Sequence, residues 1–113
     1  MNPKTLLAAA LFCAGACAAE PAAEAALSAI RDLGTVNGRA LACAETDIAT
    51  RAKKLMLAHA PKTQTYGDAY QNATQQAYLG QTQSGGACAD AQTLSAALDA
   101  LAQRLDAALP AAR

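Results

Sequence analysis

The sequence has few large aromatic side chains from which to build a core. It contains no tryptophan, one phenylalanine and three tyrosines, so that aromatic residues make up 4% of the chain, whereas hydrophobic residues make up 53%. Much of the apolar content is alanine, the strongest helix former, and runs of β-branched residues are absent. This composition argues against a β-sheet domain. It predicts an all-α protein whose core is made of aliphatic and small residues.

An excess of charge of either sign is also lacking. Nine basic residues balance nine acidic ones, which gives no basic face for a nucleic-acid partner. No nucleophile elbow, glycine-rich phosphate loop or paired acids at a cleft is recognisable, and we therefore expect no catalytic residues and no enzyme activity. With a single histidine, we also expect no resident metal or cofactor.

The N-terminus has the pattern of a signal peptide. Lys4 precedes an apolar run that is too short for a permanent membrane span, and Ala16-Cys17-Ala18 places small residues where a signal peptidase acts. We predict a signal peptide over 1–18, with cleavage before Glu20 as the close alternative, and a single domain over 19–113. Removing residues 1–18 leaves eight basic and nine acidic residues, a net charge of about −1, and no candidate transmembrane segment in the mature chain.

A second processing route is open. Ala14-Gly15-Ala16-Cys17 resembles a bacterial lipobox, although the usual large aliphatic residue three positions before the cysteine is missing. On this alternative, Cys17 is lipidated and the protein is anchored in the outer membrane. Otherwise the predicted location is periplasmic or secreted.

Two cysteines remain after cleavage, Cys43 and Cys88. Their 45-residue separation and the lack of any C-x-x-C pair argue against a zinc knuckle or a redox motif. Paired thiols of an exported chain are normally bonded, and the sequence therefore predicts a structural disulfide between these two residues.

Helical periodicity predicts four helices, over about 22–43, 46–59, 66–82 and 90–109. The last has the clearest pattern, a leucine heptad that begins at Leu94. In the first, Gly34 and Gly38 share a face on which a neighbouring helix can approach closely. The interpretation that Gly34 ends a short helix is the alternative.

Short connections predict an antiparallel up-down-up-down four-helix bundle. In such a bundle, the end of the first helix and the start of the fourth lie at the same end of the molecule. Cys43 and Cys88 occupy those two positions, so the predicted topology brings the cysteines together.

A few side chains suggest a small pocket at the opposite end of the bundle. We expect His59 and Met56 on the inner stripe of the second helix, with Tyr66 and Tyr70 facing them from the third. Asn37, on the apolar arc of the first helix, would either set the packing register or line the pocket. Core packing is the alternative role for Met56 and the two tyrosines, and for His59 the alternative is a half-buried histidine favoured by the helix C-terminus.

Three classes of function remain open. The leading hypothesis is a non-enzymatic envelope protein that binds another protein or a small ligand. A stress chaperone or holdase is the second, since size, compartment and long cysteine spacing resemble those of the HdeA acid-stress chaperones, although no motif around Cys43 or Cys88 matches. A metal carrier that uses Met56 and His59 is the third. Patches of opposite charge on the second and fourth helices would also allow a homodimer.

Overall fold

The computed structural model describes the backbone of residues 7–111 and the side chains of residues 22–111. Four helices and no strand are present in this part of the chain: α1 (Leu7–Ala42), α2 (Thr46–His59), α3 (Gln64–Ser84) and α4 (Ala91–Ala108). The all-α prediction is confirmed. The predicted signal peptide, including Cys17, lies outside the residues whose side chains are described, and its cleavage remains a prediction.

Contacts between the helices establish the predicted up-down-up-down order. Gly34 and Gly38 of α1 approach successive turns of α3 in the same direction along both chains, so α1 and α3 are parallel. α4 runs antiparallel to α1, with Arg104 bonded to Asp32 at 2.7 Å. α2 must also run antiparallel to α1, because only three residues, Cys43 to Glu45, connect them.

Local sequence sets the helix ends. Asp90 caps α4, because its carboxylate accepts a 2.7 Å hydrogen bond from the Thr93 backbone N–H, which also lowers the pKa of Asp90 below its usual range. α1 continues through Gly34, in agreement with its unbroken periodicity. The N-cap of α2 is Glu45, and it makes no side-chain capping bond.

The buried core belongs to three of the four helices. α1 supplies aliphatic residues such as Ile30 and Leu33, α2 supplies Ile48 and Ala52, and α4 supplies its heptad leucines. α3 has no buried residue and contributes only the partly buried Tyr66, Ala69 and Tyr70 to the edge of this core.

The position of α3 is determined by its small side chains. Ala73 and Ala77 lie against Gly34 and Gly38, which have no side chain to hold α3 away from α1. Since those contacts all point to α1, α3 lies along α1 and leaves open spaces on both of its flanks.

The disulfide between Cys43 and Cys88 is present, with a Cα–Cα distance of 5.9 Å. It joins the end of α1 to the loop between α3 and α4, as the topology predicts. Chain-entropy arguments give a loop of this length about 4 kcal/mol of stabilisation. The link therefore fixes the C-terminal end of α3, a helix that has no buried residue of its own.

None of the helices in the described part of the chain combines the length and the apolar character needed to cross a bilayer.

Candidate functional site

A groove of about 400 Å³ lies on the α2 side of α3, with its floor on α1. It exists because α3 packs on α1 through small residues and does not close against α2. Its lining residues are Asn37, Leu41, Thr46, Ala49, Thr50, Lys53 and Tyr70. The volume falls in the range of small-molecule sites, and the lining is mainly apolar with a few polar groups, as in such sites.

One wall of the groove is a single face of α2. Thr46, Ala49, Thr50 and Lys53 follow the i, i+3, i+4, i+7 spacing that places side chains in one row. The Thr50 hydroxyl donates a 2.9 Å hydrogen bond to the Thr46 carbonyl one turn earlier. Since this hydroxyl is already bonded within the helix, the wall can face an apolar ligand without leaving that group unpaired.

The floor combines a buried amide with an exposed leucine. Asn37 is 8% exposed, and its Nδ2 donates a 3.2 Å hydrogen bond to Thr74 Oγ1 on α3. Leu41, one turn further along α1, is 48% exposed although it lies between two helices. A large apolar side chain that lines an open groove offers surface for a ligand to cover.

Tyr70 forms the α3 side of the groove and carries a buried, unpaired hydroxyl. No side chain or backbone group of residues 22–111 accepts a hydrogen bond from this hydroxyl or donates one to it. Burial raises the pKa of Tyr70 to about 12, so the phenol is neutral at physiological pH and can donate a proton to an acceptor. A buried polar group without a partner costs about 1–3 kcal/mol, which an acceptor that reaches the hydroxyl would recover.

Lys53 is the one charged side chain that lines the groove. Three arginines of the described chain pair with carboxylates: Arg31 with Glu24, Arg51 with Asp99 and Arg104 with Asp32. Within residues 22–111, Lys53 has no such ion pair. The groove therefore carries an uncompensated positive charge.

The residues predicted to form a pocket are only partly brought together. Asn37 and Tyr70 line the groove. Met56 and Tyr66 are half-buried and pack at the edge of the core. Neither they nor His59 belong to the groove lining, and the pocket expected around all five residues remains a prediction.

His59 joins the C-terminal ends of α2 and α4. Its side chain is 6% exposed, with Nδ1 2.7 Å from the Leu109 carbonyl oxygen and Nε2 3.6 Å from Asp106 Oδ1. The first contact satisfies a carbonyl at the end of α4. This histidine thus has a structural role at the opposite end of α2 from Thr46.

Metal-binding geometry is not apparent in the described residues. No group of three histidine, cysteine or acidic side chains there lies close enough to hold an ion. Cys43 and Cys88 are bonded to each other. The suggested pair of Met56 and His59 would need ligands beyond these two, and their use as a metal carrier stays a hypothesis.

Three further grooves surround the solvent-facing side of α1. All three include Thr35, and the side chains that α3 and α4 contribute to them are polar groups and alanines, such as Gln76 and Ala97, apart from Leu101. Within the described residues, none of them contains a buried unpaired polar atom. The groove beside Tyr70 is therefore the better candidate site.

Five lining residues of the groove were not anticipated from the sequence. They are Leu41, Thr46, Ala49, Thr50 and Lys53. The helical spacing of the four residues on α2 is visible in the sequence, but three of them are polar, which is typical of a solvated face. This face of α2 lines a groove only because α3 packs closely on α1 and leaves a gap beside α2.

The fold and the groove define an all-α, disulfide-linked helical protein with a lateral, mainly apolar groove. Comparison with known proteins adds no relative, because no protein-family model, curated protein or solved structure matches the chain.

Proposed function

We propose that this chain is a non-enzymatic protein of the cell envelope, exported by its N-terminal signal peptide, that binds a small ligand in the groove between α1, α2 and α3. The observation that carries the proposal is the buried, unpaired hydroxyl of Tyr70 on a groove whose floor leaves Leu41 half exposed. A ligand in the groove would cover the leucine, and an acceptor on it that reaches the Tyr70 hydroxyl would supply the missing hydrogen-bond partner.

Export is supported by two features of the chain. The leader pattern around Ala16-Cys17-Ala18 suits signal-peptidase cleavage. The bonded pair Cys43–Cys88 suits an oxidising compartment, where such bonds form and persist. Lipidation at Cys17 would keep the same function but place the protein at the membrane surface.

Native mass spectrometry of the protein purified from its own envelope tests the proposal. We expect a retained small molecule that is released on mild unfolding, and the same spectrum reports the cleavage site and any lipid. Thr50→Trp should abolish retention, because Thr50 is an exposed residue of the groove wall. Ala58→Trp is the matched control, because Ala58 is exposed on α2 but does not line the groove.

Circular dichroism should give both variants the helix content of the parent protein. Retention that is equal in Thr50→Trp and Ala58→Trp would place the ligand elsewhere. A parent protein that carries no molecule, and that binds no amphiphile in a titration, would refute ligand binding in the groove.

A further inference from the structure

We infer that the ligand of the groove is an anionic amphiphile, a slender apolar body with an acidic oxygen head that pairs with Lys53. The inference rests on the proposed function and names the chemistry of its ligand. Carboxylate, sulfonate and phosphate heads share the required feature, which is an oxygen that bears negative charge and accepts hydrogen bonds.

Electrostatic complementarity supports the anionic head. Lys53 is the single charged lining residue, and no carboxylate of residues 22–111 pairs with it. A cationic head would be repelled by this ammonium group, and a neutral head could accept a hydrogen bond from it but would lack the attraction between opposite charges. Because the side chain of Lys53 is exposed, we expect the charge to strengthen binding by about two- to fivefold.

Hydrogen-bonding chemistry points in the same direction. Three polar side chains of the lining, Thr46, Lys53 and Tyr70, have no hydrogen-bond partner in residues 22–111. An ammonium group can only donate hydrogen bonds, and a neutral phenol donates readily. By contrast, Asn37 and Thr50 are already bonded to groups of the protein. Each of these three unpartnered groups can donate a hydrogen bond, so the groove offers donors to an acceptor oxygen of a ligand.

The slender body follows from the remaining lining. Leu41 and Ala49, with the ring of Tyr70, offer an apolar strip along three helices. The 400 Å³ volume is at the small end of the range for ligand sites, which favours one alkyl chain or a flat ring system over a bulky ligand. Each methylene covered by this strip should strengthen binding by up to about fourfold.

Calorimetric titration with three matched probes tests the inference. Decanoate, decanol and decyltrimethylammonium share an alkyl chain and differ in the charge of the head. Each is added below its micelle concentration to protein obtained by expressing the full chain. We expect decanoate to bind most tightly, decanol about two- to fivefold more weakly, and the cation most weakly.

Lys53→Gln should remove the preference for decanoate over decanol. Lys54→Gln is the matched control, because it deletes the same charge from the next residue, which is exposed but outside the groove. We expect the control to keep the preference. An equal loss in both variants would mean that only the general charge of α2 matters, and would overturn the assignment to Lys53.

Tyr70→Phe gives a second, independent readout. It deletes an unpaired hydroxyl, so it should leave the fold intact while weakening decanoate binding by about tenfold. Tyr66→Phe is its control, because Tyr66 is half-buried on the same helix and outside the groove. Unchanged affinity in Tyr70→Phe would show that the head does not use this donor, and would contradict the acceptor argument.

The titrations distinguish the charge of the ligand from the existence of a ligand site in the groove. If decanol binds as tightly as decanoate and Lys53→Gln changes neither, the anionic class is wrong while the groove remains a ligand site. If the cation binds most tightly, the inference is wrong in sign. If none of the three probes binds, the amphiphile inference is wrong, and the proposed function fails as well only if the native mass spectrum shows no retained molecule.

Discussion

The close approach of α1 and α3 can be tested by adding one methyl group. A Cβ atom at Gly38 would lie 2.8 Å from the Ala77 Cβ and 2.9 Å from the Tyr78 backbone nitrogen, and still closer to the Thr74 carbonyl oxygen. Two of these atoms are backbone, and no rotamer change can move them away. Gly38→Ala therefore forces α3 to shift away from α1.

The expected magnitude follows from two opposing terms. Replacing glycine by alanine inside a helix normally stabilises it by up to about 1 kcal/mol. Overpacking a close contact costs about 1–3 kcal/mol. Since the contacts at Gly38 are far below van der Waals separation, we expect the second term to dominate, with a net loss of about 1–2 kcal/mol. For a domain of this size, that loss lowers the melting temperature by about 5–10 °C.

Gly80→Ala provides the matched control. Gly80 also lies inside a helix, but a Cβ atom there meets nothing within 4 Å. The same chemical change should therefore stabilise the protein by about 0.5–1 kcal/mol. Thermal unfolding followed by circular dichroism, with the disulfide intact, compares the two variants. A melting temperature that rises in Gly38→Ala as it does in Gly80→Ala would refute the close packing of α3 on α1.

Two further predictions concern the link and the buried amide. Replacing Cys43 and Cys88 together by serine should lower the free energy of unfolding by about 2–4 kcal/mol in a denaturant titration, and an unchanged midpoint would show that the link does not stabilise the fold. Thr74→Val should cost about 1–2 kcal/mol, because it leaves the Asn37 amide without its acceptor. Thr82→Val should cost less, because the Thr82 hydroxyl bonds only to carbonyls of its own helix, and equal losses would contradict the role of Asn37.

The helices and their order could be predicted from the sequence because the residues that determine them recur at regular spacing. The leucines from Leu94 to Leu105 recur at heptad spacing, and all four are buried. The spacing of Gly34 and Gly38 correctly predicted a close helix contact. The topology brought the two cysteines to one end, where the structure bonds them.

The arrangement around α3 was not predictable in the same way. A helical wheel identifies which face of a helix is apolar, but it does not show which neighbour covers that face. The inner face of α3 contains alanines. Because these side chains are small, α3 packs closely against α1 and leaves a gap between itself and α2. The groove exists because α3 packs against α1 rather than against α2.

The role of His59 illustrates a second limit. Its position on the inner stripe of α2 indicated partial burial, and the side chain is indeed almost covered. Its partner, however, is the backbone carbonyl of Leu109. Every residue has a backbone carbonyl, so the sequence does not indicate which one the histidine contacts. A side chain that bonds to backbone 50 residues away can be located only when the fold is known.

The structure also changes how the disulfide relates to the candidate site. Leu41 and Thr46 of the groove stand on either side of the turn that contains Cys43. Within this turn Ala44 has a φ of 58°, a left-handed conformation that costs a non-glycine residue about 1–2 kcal/mol. The turn is held by a 2.8 Å hydrogen bond from the Glu45 N–H to the Ala40 carbonyl, and by the covalent link to Cys88.

A strained turn keeps its geometry only while its surroundings hold it. Reduction of the link between Cys43 and Cys88 removes one of the constraints on the position of Thr46 relative to Leu41, and it frees the loop that anchors the end of α3 at the same time. All three helices that line the groove are thus affected by one bond. We therefore expect reduction of the link to alter the part of the groove near Leu41 and Thr46, although the sequence predicted a site at the other end of the bundle.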